Sequence, residues 1–422
     1  MSEDEKEYVF DVSEYDETSE EPIDNPQINN ATINAIKHCP AIWDNYENVV
    51  ALNVQPGSFD SKKTEGYSCF IFSAVDMTDG KKVIIKFLDP LLETEESGDA
   101  ELDFRNLFKW EAAILSFLKS NNHCVNLIGK LRSADICISL GAHEYHHKGT
   151  YFVLERIKTH LNKAFFDKRD MSYAQYAKHL RIFCQILNAV YSIHVMGVYH
   201  RDLKPSNIMA TIDDGRVKVI LIDFASSDAE KHVTDHIRLF SQRWHGAESY
   251  GSPEVSCGFS PTGVLAMKQD MYCLGELLYE LLSYNTFYQE LKNCNSQYIA
   301  MIENCRIYDN DGNTQEERLK VYDSYLDIYA PCVKKVTLHE AVKLPEYVKT
   351  QLNSIIQWFT HFDYKQRPHT QNIPEIRDKI QHLIVLLENS HAKAYFKARK
   401  ARRKRNQLLK QIPAGQERRE LC

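Results

Sequence analysis

Residues 173–225 constrain the fold of this 422-residue chain more than any other stretch. From Tyr173 to Met196 apolar residues recur at helical spacing, which predicts a long amphipathic helix. That helix leads directly into His200-Arg201-Asp202-Leu203-Lys204-Pro205-Ser206-Asn207. Asp213-Asp214-Gly215 then marks a turn and Arg216 to Ile222 a strand, so a strand hairpin separates this run from Asp223-Phe224-Ala225. Phosphoryl transfer from a nucleotide calls for a carboxylate that orients the attacking hydroxyl, Mg²⁺ ligands against the phosphates, and a cation over the migrating group. Asp202, the pair Asn207 and Asp223, and Lys204 would fill those roles in that order.

The rest of the composition suits one substantial enzyme. With 43% hydrophobic and 26% charged residues, the chain can bury the core of a large two-lobed domain carrying short tails. A net charge of -7 gives no reason to expect sequence-specific nucleic-acid binding or an anionic membrane as the main partner. The eleven cysteines are scattered and form no C-x-x-C pair, which fits reduced thiols in an intracellular compartment better than a disulfide framework or a zinc site. The acidic start, Met1 to Tyr8, lacks the basic-then-apolar form of a secretory signal. No apolar run approaches the roughly 18 residues that a membrane span needs. The expectation is a soluble, cytoplasmic protein, with the nucleus open to it if the chain is eukaryotic.

Charge is unevenly placed. From Glu3 to Asp24 nearly every charged residue is acidic, and Pro22 and Pro26 interrupt any helix, so residues 1–47 read as an acidic, disordered segment. Residues 389–422 form a basic tail with a dense block from Lys393 to Arg405. Four readings of that block stand side by side: a solvated helical extension, a nuclear-import signal, a polyanion-binding arm, or a clasp for the acidic N-terminus.

Between the tails, strands give way to helices near residue 160. Cys69–Val75 and Lys82–Leu88 are β-branched and aromatic runs separated by the turn Thr78-Asp79-Gly80. Leu107–Leu118 has helical spacing, and Tyr151–Leu154 returns to strand. Lys268–Leu282 and Pro345–His361 read as helices, and no internal repeat is present. The predicted class is α+β: a small β-rich lobe to about residue 156, then a larger helical lobe.

Several motifs, in one order, make the stretch from about 48 to about 388 resemble a eukaryotic-type serine/threonine protein kinase. Val83-Ile84-Ile85-Lys86 resembles the strand whose lysine grips the α- and β-phosphates. Glu111, within Trp110-Glu111-Ala112-Ala113-Ile114-Leu115, resembles the helix glutamate that holds that lysine. Read singly, either residue is an ordinary surface charge; the ordered series gives them their roles. Tyr151–Ile157 resembles the hinge, which implies that the Glu155 carbonyl and the Ile157 amide bind adenine, with Leu154 as gatekeeper. Gly251-Ser252-Pro253-Glu254 resembles the motif closing the activation segment. Arg367 and Asp270 resemble, respectively, the arginine that pairs with that glutamate and the aspartate that fastens the catalytic loop. The Gly-rich loop aligns with residues 64–71 and keeps only Gly66, the position where backbone amides approach phosphate without a side chain between.

The resemblance implies ATP and Mg²⁺ as cofactors and protein Ser/Thr hydroxyls as acceptors, because Lys204 stands two residues after Asp202 as in the serine/threonine-specific pattern. Asp202 and Lys204 are the expected catalytic pair. Lys86, Glu111, Gly66, Glu155 and Ile157 are expected to hold nucleotide, and Asn207 and Asp223 to hold metal. Arg201 implies an anion on the activation segment, with Ser241 closest to the usual phosphorylated position. Three departures from the family pattern bear on activity: the eroded Gly-rich loop, Ala225 in place of glycine, and Ala247 in place of a threonine. They support the alternative reading of a pseudokinase scaffold. His143-Glu144-Tyr145-His146-His147 carries metal-capable groups but falls in a connection that reads as a solvated loop, and Tyr284–Val342 reads as an elaboration of the helical lobe.

Overall fold

The computed structural model describes residues 26–53, 68–90, 104–157, 159–160, 171–213, 216–237, 248–283, 285–305 and 314–389. The chain divides into two compact units. The first takes in residues up to Lys119 together with Val125–Arg156, and the second takes in Ser120–Cys124 and everything from Ile157 onward.

Among the described residues, the first unit holds a five-stranded antiparallel sheet and three α-helices. Helices α1 (Pro26–His38) and α2 (Pro40–Trp43) precede β1 (Tyr46–Ala51), β2 (Cys69–Asp76) and β3 (Lys82–Leu88). Helix α3 (Phe104–Phe117) then leads to β4 (Leu127–Leu140) and β5 (His143–Glu155). The strand order is β1-β2-β3-β5-β4. In β3 the two-residue period of a strand sends Val83, Ile85 and Phe87 into the core and leaves Ile84 and Lys86 on the other face. The β2–β3 hairpin turns where expected: Gly80 takes φ +68°, and the Asp76 carboxylate accepts the Thr78 amide at 2.8 Å.

Two expectations need correction here. The folded chain does not begin at residue 48. Within the segment 1–47 that reads as disordered, Pro26–Trp43 is helical and buries Ile33, Ile36 and Ile42 in the core of the sheet. Pro26, which reads as a helix breaker, stands at the first position of α1, as Pro40 does in α2, where the missing N–H costs nothing. Residues 1–25 lie outside the described residues, as does nearly all of the expected basic tail. The second correction concerns His143–His147, which are not a loop. They begin β5 and pair with β4 from Leu140↔His143 to Ile136↔His147.

The second unit is mainly helical. A two-residue strand β6 (Thr159–His160) comes first, then α4 (Tyr173–Val195), capped at its start by a Ser172–Gln175 capping box. It runs into β7 (Val198–Tyr199) and the hairpin β8 (Ile208–Asp213)–β9 (Arg216–Leu221), which pair in register from Ile208↔Leu221. After β10 (Asp228–Ala229) come α5 (Lys231–Ile237), α6 (Pro253–Ser256) and the deeply buried α7 (Val264–Leu282). Helices α8 (Phe287–Cys294), α9 (Tyr298–Cys305), α10 (Gln315–Tyr329) and α11 (Glu346–Phe359) follow, and residues 373–389 form α12. In α7, eighteen consecutive residues are buried, so this helix is the axis of the unit, and α4 and α11 both pack on it. Gly275 permits the contact with α11, because a Cβ there would stand 2.5 Å from Thr360 Cγ2.

None of the cysteines among the described residues is in a disulfide. Among those residues, no helix is long and apolar enough to cross a membrane.

Candidate active site

In the first unit, β3 presents Lys86 on the face away from the core, and α3 carries Glu111 into the same space. The Lys86 Nζ lies 2.7 Å from Glu111 Oε2, and the carboxylate is almost wholly buried, with a side-chain exposure of 1% against 13% for the lysine. Helix α3 is seated by Phe108, whose ring meets Phe152 of β5 at 4.6 Å, and by the buried Trp110. The ammonium is therefore held at one place before any ligand arrives, which is the condition for a preorganised cation.

In the second unit, the strongly constrained run of the sequence forms a compact polar group. Asp202, 5% exposed, lies beside Lys204 Nζ at 3.2 Å. The Asn207 side-chain amide donates to both the Asp202 carboxylate, at 2.8 Å, and the Asp202 main-chain carbonyl, at 2.9 Å. With both amide hydrogens so committed, the Asn207 carbonyl oxygen faces away from Asp202. The Ile222 amide bonds the Asn207 main-chain carbonyl at 3.0 Å, which sets Asp223 next to this group. Asp223 itself takes φ +63°, a left-handed conformation that an aspartate tolerates and a β-branched residue does not. An amide carbonyl and a carboxylate are hard oxygen donors of the type that Mg²⁺ takes, so the residues present fit that ion.

The left-handed backbone falls on Asp223, and Ala225 avoids it, so the alanine in place of glycine sits without strain in this conformation. Phe224 is fully buried and its ring meets His200 at 4.8 Å. Its carbonyl accepts both the amide and the hydroxyl of Ser227, at 3.1 Å and 2.6 Å.

Beneath the loop, Asp270 of α7 accepts the His200 and Arg201 amides, each at 2.7 Å, and the His194 Nε2–H at 2.8 Å. Three donors on one fully buried carboxylate pin the loop backbone, including Arg201 at φ +66°. Glu254 and Arg367 form the expected buried pair as a two-pronged contact, 2.6 Å and 2.8 Å. Two further supports went unread in the sequence. Gln269 accepts the Ser252 amide and donates to the Tyr250 carbonyl, and Tyr250 donates to Glu280 at 2.6 Å. The only signal available was the place of Gln269 beside Asp270 on α7.

Arg201 is fully buried, and burial pushes its guanidinium down to about 10, partly offset by Asp228 and Asp270. Asp228 in turn is raised by burial and lowered by Arg201, and its carboxylate accepts the Gly263 amide at 2.7 Å. The charges around Arg201 thus include two carboxylates of its own unit, one of which, Asp228, was not anticipated.

The remaining expected positions are placed as follows. Glu155 ends β5; its amide donates to the Asn126 carbonyl and its carboxylate accepts the Asn126 amide at 2.9 Å. Ile157 is the first residue of the second unit on this crossing of the chain. Leu154 pairs with Ile84 across β3 and β5. Gly66, Ser241 and Ala247 lie outside the described residues. The structure thus gathers Lys86 with Glu111, and Asp202 with Lys204, Asn207 and Asp223.

The chain is similar to a probable serine/threonine-protein kinase, fnkE, of Dictyostelium discoideum, 24% identical over 250 residues that make up 54% of this chain and 17% of that protein. It is 28% identical over 225 residues to the RGS domain-containing serine/threonine-protein kinase A of the same organism, covering 53% of this chain and 17% of the relative. The serine/threonine-protein kinase CHK1 of Saccharomyces cerevisiae is 29% identical over 248 residues, 57% of this chain and 42% of its own length. The matched region is thus under half the length of each of these relatives. The family described as protein kinase domain matches residues 63–377, a span that holds both polar groups and their buried supports. With its sheet unit, its helical unit and that match over most of its length, the chain belongs to the protein kinase family.

Proposed function

We propose that the chain is an active, ATP- and Mg²⁺-dependent serine/threonine protein kinase. The observation that carries this reading is the Asp202 carboxylate, oriented by Asn207 at 2.8 Å and faced by Lys204 at 3.2 Å. A buried carboxylate held by an amide donor is placed to accept the proton of an incoming hydroxyl, and the ammonium beside it to meet the negative charge of the transferring phosphoryl group. Asn207 and Asp223 would hold Mg²⁺, which neutralises phosphate charge when bound. Lys86, fixed by Glu111, would hold the α- and β-phosphates. The Glu155 carbonyl and Ile157 amide would bind adenine, and the Gly66 backbone would lie over the phosphates.

Serine and threonine as acceptors rest on Lys204 in its position after Asp202 and on the kind of kinase named among the relatives. All the charged positions of the proposed chemistry are present in the chain, which favours an enzyme over a scaffold. Protein substrates and an intracellular location follow from the same reading. Contact of the basic tail with a polyanion or an import receptor is a separate proposal.

The test is transfer of labelled γ-phosphate to a generic acceptor protein with Mg²⁺, followed by phosphoamino-acid analysis. Phosphoserine or phosphothreonine is expected, and Lys86→Met should lower transfer by about 10²–10³-fold. Label on tyrosine alone would overturn the substrate class. Nucleotide binding with no label at all would replace the enzyme with the scaffold.

A further inference from the structure

Strands β4 and β5 continue beyond the rest of their sheet. β3 pairs with β5 only from Tyr151 to Glu155, whereas β4 and β5 stay paired out to Leu140↔His143. One face of this ribbon is covered: Ala134, Ile136 and Ile138 are buried in the core cluster with Ile33 and Ile36 of α1. Strand alternation puts Asp135 and Cys137 of β4, and Glu144, His146 and Lys148 of β5, on the opposite face. None of these five has a part in the chemistry proposed above.

On that face, Cys137 stands directly across from His146, and Cys137 Sγ is 4.0 Å from His146 Nε2. Glu144 is two residues before His146 and so shares its side of the strand. One ligand atom from each of Cys137, Glu144 and His146 lies within 4.8 Å of the other two. A tetrahedral zinc ion takes thiolate sulfur at ~2.3 Å and imidazole nitrogen at ~2.0–2.1 Å, which sets those two atoms ~3.6 Å apart. The ribbon therefore needs to close by less than half an ångström between Cys137 and His146. The side chains of Glu144 and His146 are exposed and can supply that by rotation, while the paired backbones hold the Cβ atoms in place.

We propose that Cys137, Glu144 and His146 form a zinc-class transition-metal site on the uncovered face of the β4–β5 ribbon. A thiol, an imidazole and a carboxylate are the donor types that such ions take, and a thiolate excludes a hard ion such as Mg²⁺. Three protein ligands leave a fourth position for water. Loading the site converts the Cys137 thiol to metal-bound thiolate and releases its proton to solvent, with no change of oxidation state. Asp135, on the same face, adds negative charge nearby, and Lys148 stands across from Asp135.

The test uses the full chain, reduced and stripped with chelator, titrated with Co²⁺. The expected result is one equivalent bound with a thiolate-to-cobalt charge-transfer band, which stoichiometric Zn²⁺ abolishes by displacement. Cys137→Ser should remove the band, and His146→Ala or Glu144→Gln should weaken Co²⁺ binding at least about tenfold. Replacing an exposed cysteine elsewhere, Cys332→Ser, should leave the band intact. Absence of the band in the unmodified chain, or its persistence in Cys137→Ser, would overturn the site. A second measurement needs no variant: Zn²⁺ should slow alkylation of Cys137, read by mass spectrometry, and an unchanged rate would equally overturn it.

Discussion

Removing the Arg367 side chain should be among the most damaging single changes in the helical unit. Its guanidinium gives Nη1 and Nη2 to Glu254 at 2.6 Å and 2.8 Å, Nε to the His361 carbonyl at 2.7 Å, and stacks 4.8 Å above the Tyr272 ring. Both side chains of the pair are 0% exposed. Arg367→Ala leaves the Glu254 carboxylate in the interior without its guanidinium, a change that costs about 3–5 kcal/mol when one partner of a buried pair is deleted. The loss is not the worth of the pair but the cost of an uncompensated charge. Glu254→Gln made together with Arg367→Ala removes the stranded charge and should recover about 1–3 kcal/mol relative to Arg367→Ala alone. Urea unfolding followed by circular dichroism reads both quantities. A cost for Arg367→Ala below about 1 kcal/mol, or a double variant less stable than the single one, would refute the reasoning.

Two other predictions concern α7. Gly275→Ala places a Cβ 2.5 Å from Thr360 Cγ2 and 2.7 Å from Phe359 Cβ, so α7 and α11 must part; a loss of about 1–3 kcal/mol is expected from thermal unfolding. Glu276 is 1% exposed, and burial pushes its carboxyl well above the ordinary range, with Glu280 adding to the shift. A folded value above the unfolded one means that stability is fullest below the unfolded carboxyl value and declines as pH rises through the folded one. Glu276→Gln should flatten that decline in unfolding curves measured from acid to alkaline pH, and an unchanged slope would show that Glu276 is not its source.

How much was legible follows from where the signals lie. Lys82–Leu88 was read as a strand with the bounds it has, because alternation, β-branching and a Gly80 turn all act within a few residues. Residues 200–207 and 223 were legible as one site because a single hairpin, β8–β9, separates them, and short connections keep neighbours together. Helix α1 was missed because acidic residues precede it and prolines flank it. Its stability comes from Ile33 and Ile36 meeting β4, a contact some hundred residues away that local propensity does not reveal. The His143–His147 stretch looked like a loop because its residues are polar and mostly exposed. It is a strand because β4, itself seated on α1, supplies the hydrogen bonds. Asp228 beside Arg201 belongs to the same class: nothing in the short β10 strand marks it until the fold brings the two charges together.

The central claim is that Asp202 receives the acceptor hydroxyl's proton within a site prepared by Lys204 and Asn207. The most direct measurement is the rate of γ-phosphate transfer from labelled ATP with Mg²⁺ to protein serine and threonine, for the unmodified chain and for Asp202→Asn, with ATP affinity measured on both. The account predicts transfer reduced by about 10²–10⁴-fold in Asp202→Asn while nucleotide binding is kept. Transfer that persists undiminished in the variant would contradict it.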